Sequence, residues 1–154
     1  MKLIVDTNRL IAALIKDSYS RGIILHMDAE FITLHFSLKE IRDHSNEVME
    51  KARLSSDQFN LLVEKLIKRC ILIDDDTIEQ KMEEAKQIMD SIDPDDTPFI
   101  AAALATGADI WSDDAHFDAQ TKVEVWKTKD LIKLIQKNND SSSGEKFYDE
   151  KKIK

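Results

Sequence analysis

Short apolar runs alternate with amphipathic segments along most of the chain. Consecutive apolar residues predict buried strands at residues 2–5, 30–34, 71–73, 109–112 and 123–126. Between these runs, apolar residues recur every three or four positions, which is typical of helices with one buried face. The predicted helices cover residues 8–15, 18–27, 37–51, 56–68, 77–89, 97–106 and 128–137.

This alternation predicts an α/β protein with three α/β/α layers and a central parallel sheet. Hairpin signals such as Asn-Gly are absent, which disfavours an antiparallel meander. Residues at the predicted helix ends support the assignment. Ser37 and Glu40 have the spacing of a capping box. Thr97 is a predicted helix cap followed by Pro98, and Gly107 closes the same helix.

The chain has 154 residues, which suits one domain over residues 1–137 followed by a polar tail over residues 138–154. Residues 141–144 (SSSG) predict a flexible joint in that tail. No apolar run approaches the roughly 18 residues of a membrane span, and the N-terminus does not resemble a secretory signal. Cys70 is the single cysteine, so an internal disulfide is excluded and a cytoplasmic location is expected. We interpret Cys70 as a small core residue.

Net charge restricts the function classes further. The chain carries a formal charge of −8, and the tail is neutral, so the excess of acid lies in residues 1–137. An acidic domain repels phosphates and is therefore a poor general binder of nucleic acid. Chemistry on a phosphate would need bound cations to reverse the local sign of the charge.

Carboxylates are predicted to gather along one rim of the sheet. In open parallel α/β sheets, ligands bind outside the carboxyl ends of the strands. Acids follow the first and fourth predicted strands, begin the helix after the second strand, and precede the helix that leads to the fourth. These residues are Asp6, Glu40, Asp93, Asp95, Asp96, Asp113 and Asp114.

Most of these acids also have a structural explanation. Glu40 completes the capping box, and the acids at 95–96 would stabilise a helix start through its dipole. The acids at 113–114 suit a turn. Asp6 is harder to explain in this way, because an aspartate directly after a buried strand offers no simple structural benefit.

The composition of the rim indicates a site for a hard divalent cation. Carboxylates a few ångströms apart raise one another's pKa or require a cation, and Mg²⁺ or Mn²⁺ prefers such oxygen ligands. Such an ion can activate water and stabilise charge on a phosphate. The sequence lacks zinc-type His and Cys spacing and a glycine-rich phosphate loop. His116 is the histidine of interest, because it lies two residues after Asp114.

Three stretches resemble the PIN domain, a family of metal-dependent ribonucleases related to flap endonucleases. They are LIVDTNRLI at 3–11, SLKEI at 37–41 and DDTPFIAAALATGADIWSDDAHF at 95–117. The third is the most specific, because it joins an acid, a helix start, a glycine, a strand and a Ser-x-Asp-x-x-Phe pattern. The resemblance extends over residues 1–135 with the motifs in order.

Carried over by position, the resemblance implies cleavage of single-stranded RNA by metal-activated water, leaving a 5′-phosphate. The implied catalytic residues are Asp6, Glu40, Asp96 and Asp114. Of these, Asp6, Asp96 and Asp114 would bind one or two Mg²⁺ or Mn²⁺ ions, and Glu40 would bind an ion or orient the water. The other implied residues are Asn8 and Ser112, which would position ligands or substrate, and Asp93 and Asp113 as accessory acids.

Several alternatives remain open at this point. The protein could be a processing endoribonuclease or a toxin ribonuclease controlled by an antitoxin partner, and the family also implies a homodimer. A non-catalytic PIN-fold scaffold is disfavoured because all four acids are present. A phosphatase or phosphotransfer receiver of similar topology is also disfavoured. Receivers need an aspartate at a mid-chain strand end and a lysine at a late one, whereas Asp6 follows the first strand and no lysine ends the strand at 109–112.

Overall fold

A five-stranded parallel sheet forms the centre of the protein, as predicted. The computed structural model describes residues 1–15 and 19–141. Its sheet has the strand order β3-β2-β1-β4-β5, and each neighbouring pair is parallel. The strands are β1 (Lys2–Val5), β2 (Glu30–Leu34), β3 (Cys70–Ile73), β4 (Asp109–Trp111) and β5 (Val125–Trp126).

Helices cover both faces of this sheet and complete the three layers. They are α1 (Thr7–Ile15), α2 (Tyr19–His26), α3 (His35–Asp43), α4 (Ser45–Ala52), α5 (Ser56–Ile67), α6 (Asp75–Glu79), α7 (Met82–Met89), α8 (Thr97–Thr106) and α9 (Thr128–Ser141). Short 3₁₀ segments occupy Pro94–Asp96 and Ala115–Ala119. Within the described residues, none of the helices is both long and apolar enough to cross a membrane.

Two apolar cores lie on opposite faces of the sheet, because successive side chains of a strand alternate between its faces. Leu3 and Val5 of β1 join the core that contains α1, α2 and α9. Ile4 joins the other core, with α7 and α8. Helix α8 is apolar nearly all round, and six of its ten residues are buried, so packing holds its N-terminus at the carboxyl edge of the sheet.

The predicted capping box at Ser37 is wrong. Helix α3 begins at His35, with Leu34 at its N-cap and without a side-chain cap. Ser37 is instead fully buried inside the first turn, where its hydroxyl lies 2.8 Å from the hydroxyl of Thr7. A contact between residues so far apart in the chain satisfies the serine better than a local cap would.

Two predicted helices are each divided in the structure. The segment 37–51 forms α3 and α4, because the backbone at His44 (φ −102°, ψ 12°) leaves the helical region. The segment 77–89 contains the end of α6 and all of α7, with a similar break at Lys81 (φ −114°, ψ 5°). In each case apolar periodicity continues across a turn, so the pattern alone does not show the break.

Two helix ends also differ from prediction. Asp96, not Thr97, is the N-cap residue of α8, and the Thr97 hydroxyl donates to Asp90 Oδ1 at 2.7 Å. Gly107 closes α8 in the left-handed conformation (φ 70°), as predicted. Helix α9 continues to Ser141, past the predicted end at 137. The remainder of the predicted joint at 141–144, and the tail after it, lies outside the described residues.

Candidate active site

The end of β1 places Asp6 in a buried position between two strands. Its backbone N–H donates to the carbonyl of Trp111 at 3.1 Å, which extends the pairing of β1 with β4. Only 5% of Asp6 is exposed, and its Oδ2 accepts a hydrogen bond from the Ser112 hydroxyl at 2.6 Å. The Ser112 hydroxyl in turn accepts from the Asp114 N–H at 3.0 Å. One serine therefore fixes the acids that follow two neighbouring strands.

Glu40 is held by a second hydroxyl network. The Thr7 hydroxyl donates to Glu40 Oε1 at 2.9 Å and lies 2.8 Å from the Ser37 hydroxyl. Since Thr7 has one hydroxyl proton and gives it to Glu40, Ser37 must donate to Thr7. Thr7 and Ser37 therefore support Glu40, a role that the sequence did not predict for either residue. Thr7 nevertheless lies within the motif at 3–11.

Asp96 is the N-cap residue of α8, but its side chain does not cap the helix. Its side chain makes no capping hydrogen bond, and its Oδ2 is buried without a hydrogen-bond partner among the described residues. Burial, then the charges of Asp93, Asp114 and Asp6, raises the pKa of Asp96 to about 6, with His116 opposing the shift. Hydrogen-bonded capping therefore does not explain this aspartate, and its environment favours a bound proton or cation.

His116 joins the acids at the outer side of the site. Its Nδ1 lies 3.1 Å from Asp93 Oδ2, 3.5 Å from Asp96 Oδ2 and 3.4 Å from Asp114 Oδ1. One ligand atom each from Asp93, Asp96 and His116 lies within 4.8 Å of the others. Asp114 also caps the 3₁₀ segment that carries His116, because its Oδ1 accepts a hydrogen bond from the His116 N–H at 2.9 Å. His116 lies two residues after Asp114, and this short separation was the indication of the contact in the sequence.

Asp113 contacts Thr128 and Arg9 and not the other acids of the site. Its Oδ1 accepts from the Thr128 N–H at 2.7 Å, and its Oδ2 accepts from the Thr128 hydroxyl at 2.7 Å. Arg9 forms an ion pair with the same Oδ2 at 2.7 Å. Asp113 therefore anchors the start of α9 to α1, and its predicted accessory role is not supported by a contact with the other acids.

A cavity of about 310 Å³ opens at the carboxyl edge of the sheet. Asp6, Glu40 and Asp96 all border it, and so does the exposed Asn8, whose N–H donates to Asp6 Oδ1 at 3.4 Å. Burial raises the pKa of Asp6, and the charge of Asp114 adds to that effect. The remaining residues around the cavity are Thr7, Phe36, Asp95 and Phe99.

The donor set fits a hard divalent cation. It offers carboxylate oxygens from three chain segments, one of them buried and lacking a hydrogen bond. A cation would satisfy that oxygen and offset both the burial and the mutual repulsion that raise the pKa values of Asp6 and Asp96. Asp6 and Asp96 border the cavity, and among the described residues Asp93, Asp96 and His116 form the group whose ligand atoms lie close enough to share an ion.

Comparison with known proteins agrees with this geometry. The sequence profile of the PIN domain matches residues 4–135. The chain belongs to the PIN domain family. PIN domains are generally nucleases that depend on divalent metal ions, and the acidic cluster described above is consistent with that chemistry. Among curated proteins, none matches the chain.

A solved structure shares the PIN fold seen here. It is a chain from the crystal structure of VapBC2 from Rickettsia felis bound to a DNA fragment from their promoter. The two chains are 15% identical, with a TM-score of 0.64, and the match covers 82% of this chain and 98% of the other. At this identity the similarity concerns the fold, and it confirms the three-layer arrangement.

Proposed function

We propose that this PIN domain is a metal-dependent endoribonuclease that cleaves single-stranded RNA and leaves a 5′-phosphate. The observation that carries the proposal is the convergence of Asp6, Glu40 and Asp96 on one cavity, although they come from separate segments. The Oδ2 of Asp96 adds to it, because this buried carboxylate oxygen makes no hydrogen bond among the described residues and its ion-pair neighbour is His116 Nδ1 at 3.5 Å.

The chain's own residues divide the work as follows. Asp6, Asp96 and Asp114 would hold one or two Mg²⁺ or Mn²⁺ ions. When bound, such an ion lowers the pKa of a coordinated water and stabilises negative charge on the phosphate. Ser112 fixes the Asp6 carboxylate, and Thr7 holds Glu40 through its Oε1 at the border of the cavity. Glu40 would accept a proton from the attacking water there.

A toxin ribonuclease controlled by an antitoxin is the second candidate. The observation that favours it is the shared fold with a chain of the VapBC2 complex. This candidate keeps the same catalytic chemistry and adds a protein partner, and it is compatible with the homodimer that the family implies. Co-expression with the product of the adjacent upstream gene, followed by purification of a stoichiometric inhibitory complex, would support it.

The activity is tested by incubating the protein with a panel of single-stranded RNAs in Mg²⁺, in Mn²⁺ and in chelator. We expect cleavage only with metal, and 5′-phosphate ends that accept a label only after phosphatase treatment. Asp96→Asn should lower the rate by about a hundredfold or more while the fold persists. The matched control is Asp95→Asn, an exposed neighbour, which should retain most activity. Full activity of a folded Asp96→Asn protein would overturn the proposal.

A further inference from the structure

An exposed aromatic ring borders the acidic cavity. Phe36, the second residue of α3, is 39% exposed, although large apolar side chains in this protein are mostly buried. The other large apolar side chains that are exposed in the described residues are Met1, Leu61, Ile71 and Leu72, and none of them borders the cavity. Phe36 therefore combines exposure, aromatic character and proximity to the acids.

The Phe36 ring packs on the buried Phe99, which in turn packs on the buried Phe117. Phe36 meets Phe99 edge-on, with ring centroids 6.1 Å apart and an interplanar angle of 65°. Phe99 meets Phe117 in the same manner, at 6.3 Å and 84°. Phe99 is 2% exposed and Phe117 is fully buried, so the exposed ring rests on the core of the domain. Such a ring presents a fixed flat surface at low entropic cost.

The charge and the size of the cavity beside Phe36 restrict the kind of group that could bind against this ring. Acids occupy the cavity beside it, so an anionic side chain or a second acidic surface would be repelled. A nucleobase is flat and uncharged, and it would lie next to a phosphate held by cations on Asp6 and Asp96. The cavity, at about 310 Å³, lies at the lower end of the roughly 300–1,000 Å³ typical of small-ligand sites, which suits one nucleotide.

We infer that Phe36 is a stacking platform for the base of a nucleotide next to the cleaved phosphate. The inference rests on the proposed function and deepens it by assigning a base-binding subsite. Stacking on an aromatic ring tolerates every base and requires an unpaired strand, because a base within a duplex has no free face. Phe36 would therefore favour single-stranded over double-stranded substrate without strong sequence preference.

Fluorescence tests the stacking without relying on cleavage. Phe36→Trp introduces an indole at the ring position, and the wild-type signal of Trp111 and Trp126 is subtracted. Short single-stranded oligoribonucleotides added with Mg²⁺ should quench the new signal. An abasic site at one position of the strand should remove most of that quenching. Leu61→Trp is the matched control, because Leu61 is 67% exposed on α5 and does not border the cavity.

Kinetics provide the second measurement. Phe36→Leu should raise KM for single-stranded RNA by roughly 5- to 150-fold, the loss expected for one base stack, with a smaller effect on kcat. Phe36→Tyr should restore a KM near the wild-type value. Melting curves establish that each variant is folded, which is expected because Phe36 is partly exposed.

The outcomes separate this inference from the proposed function. Suppose that wild type cleaves RNA, that Phe36→Leu has the KM of wild type, and that the abasic site does not change the quenching. The stacking platform is then overturned, and the proposed nuclease activity is supported. If the protein cleaves no RNA but quenching depends on the base, the nuclease proposal fails and the base subsite stands. Equal quenching in Phe36→Trp and Leu61→Trp would also overturn the platform, because it would indicate contact without a defined site.

Discussion

Replacing Asp96 by asparagine should stabilise the metal-free protein above about pH 6. The pKa of Asp96 is raised to about 6 from 3.8, first by burial and then by Asp93, Asp114 and Asp6. A raised pKa means that the folded state holds the proton more tightly than the unfolded state. This contribution to stability is complete below about pH 4 and is lost as pH rises through about 6. Above that pH the charged carboxylate opposes folding.

The size of the effect follows from the same values. The difference between about 6 and 3.8 corresponds to about 3 kcal/mol, at about 1.4 kcal/mol per pH unit. The side chain is 13% exposed and borders an open cavity, so solvent screening reduces the expected gain to about 1–2 kcal/mol. For a domain of this length that gain raises the melting temperature by roughly 2–8 °C.

The assay is a set of melting curves for wild type, Asp96→Asn and Asp95→Asn in chelator between pH 4 and 8. We expect the advantage of Asp96→Asn over wild type to be absent near pH 4 and complete by pH 7. Asp95→Asn should differ little from wild type throughout. A second set in Mn²⁺ should stabilise wild type by about 2.7 kcal/mol at a hundredfold excess over the dissociation constant, or roughly 5–11 °C.

Asp96→Asn should lose most of the Mn²⁺ response, because a ligand is missing. The competing explanation is that Asp96 merely favours the start of α8. Asparagine caps a helix about as well as aspartate, so that explanation predicts a nearly neutral change that is indifferent to metal. Equal Mn²⁺ responses in wild type and Asp96→Asn would therefore refute the metal-site reasoning.

Three further predictions concern the supports of the fold and site. Thr7→Val should lower the free energy of unfolding by about 1–3 kcal/mol in melting curves and slow RNA cleavage, because Ser37 and Glu40 lose their shared hydroxyl. Gly107→Ala should cost about 1 kcal/mol in the same assay, because alanine is disfavoured at φ 70°. Truncation after Ser141 should leave both the melting temperature and the cleavage rate unchanged, since the five strands and both apolar cores lie before that residue.

The sheet was predictable because its signals are local. Residues 30–34 were predicted as a strand and form β2 with the same bounds, since a buried parallel strand needs a continuous apolar run. Ser37 shows where this fails. Its spacing to Glu40 suits a capping box, but a buried partner at Thr7, far away in the chain, decides how the serine is used. Such a contact is not encoded in the spacing of neighbouring residues.

The position of the acids along one edge of the sheet was predictable for a similar reason. The direction in which each acidic side chain points was not predictable. Strand ends and helix starts of a parallel sheet share one edge, so Asp6, Glu40 and Asp96 were expected to converge, and they border one cavity. The directions of adjacent side chains depend on the turn after β4. That turn directs Asp113 to Thr128 and brings His116 towards the acids.

The distribution of cations leaves the pKa values of Asp6 and Asp96 raised, with burial as the main cause of the shift. Neutral hydroxyls, not lysine or arginine, hold Asp6 and Glu40 in place. Arg9 forms its ion pair with Asp113, and its charge is the smallest of the influences on the pKa of Asp6. Lys127 forms its ion pair with Asp118. A lysine paired with Asp6 would lower its pKa and occupy the position of a metal ion. Fixing the carboxylates with hydroxyls orients them while leaving their charge uncompensated, which is what a site for a divalent cation requires.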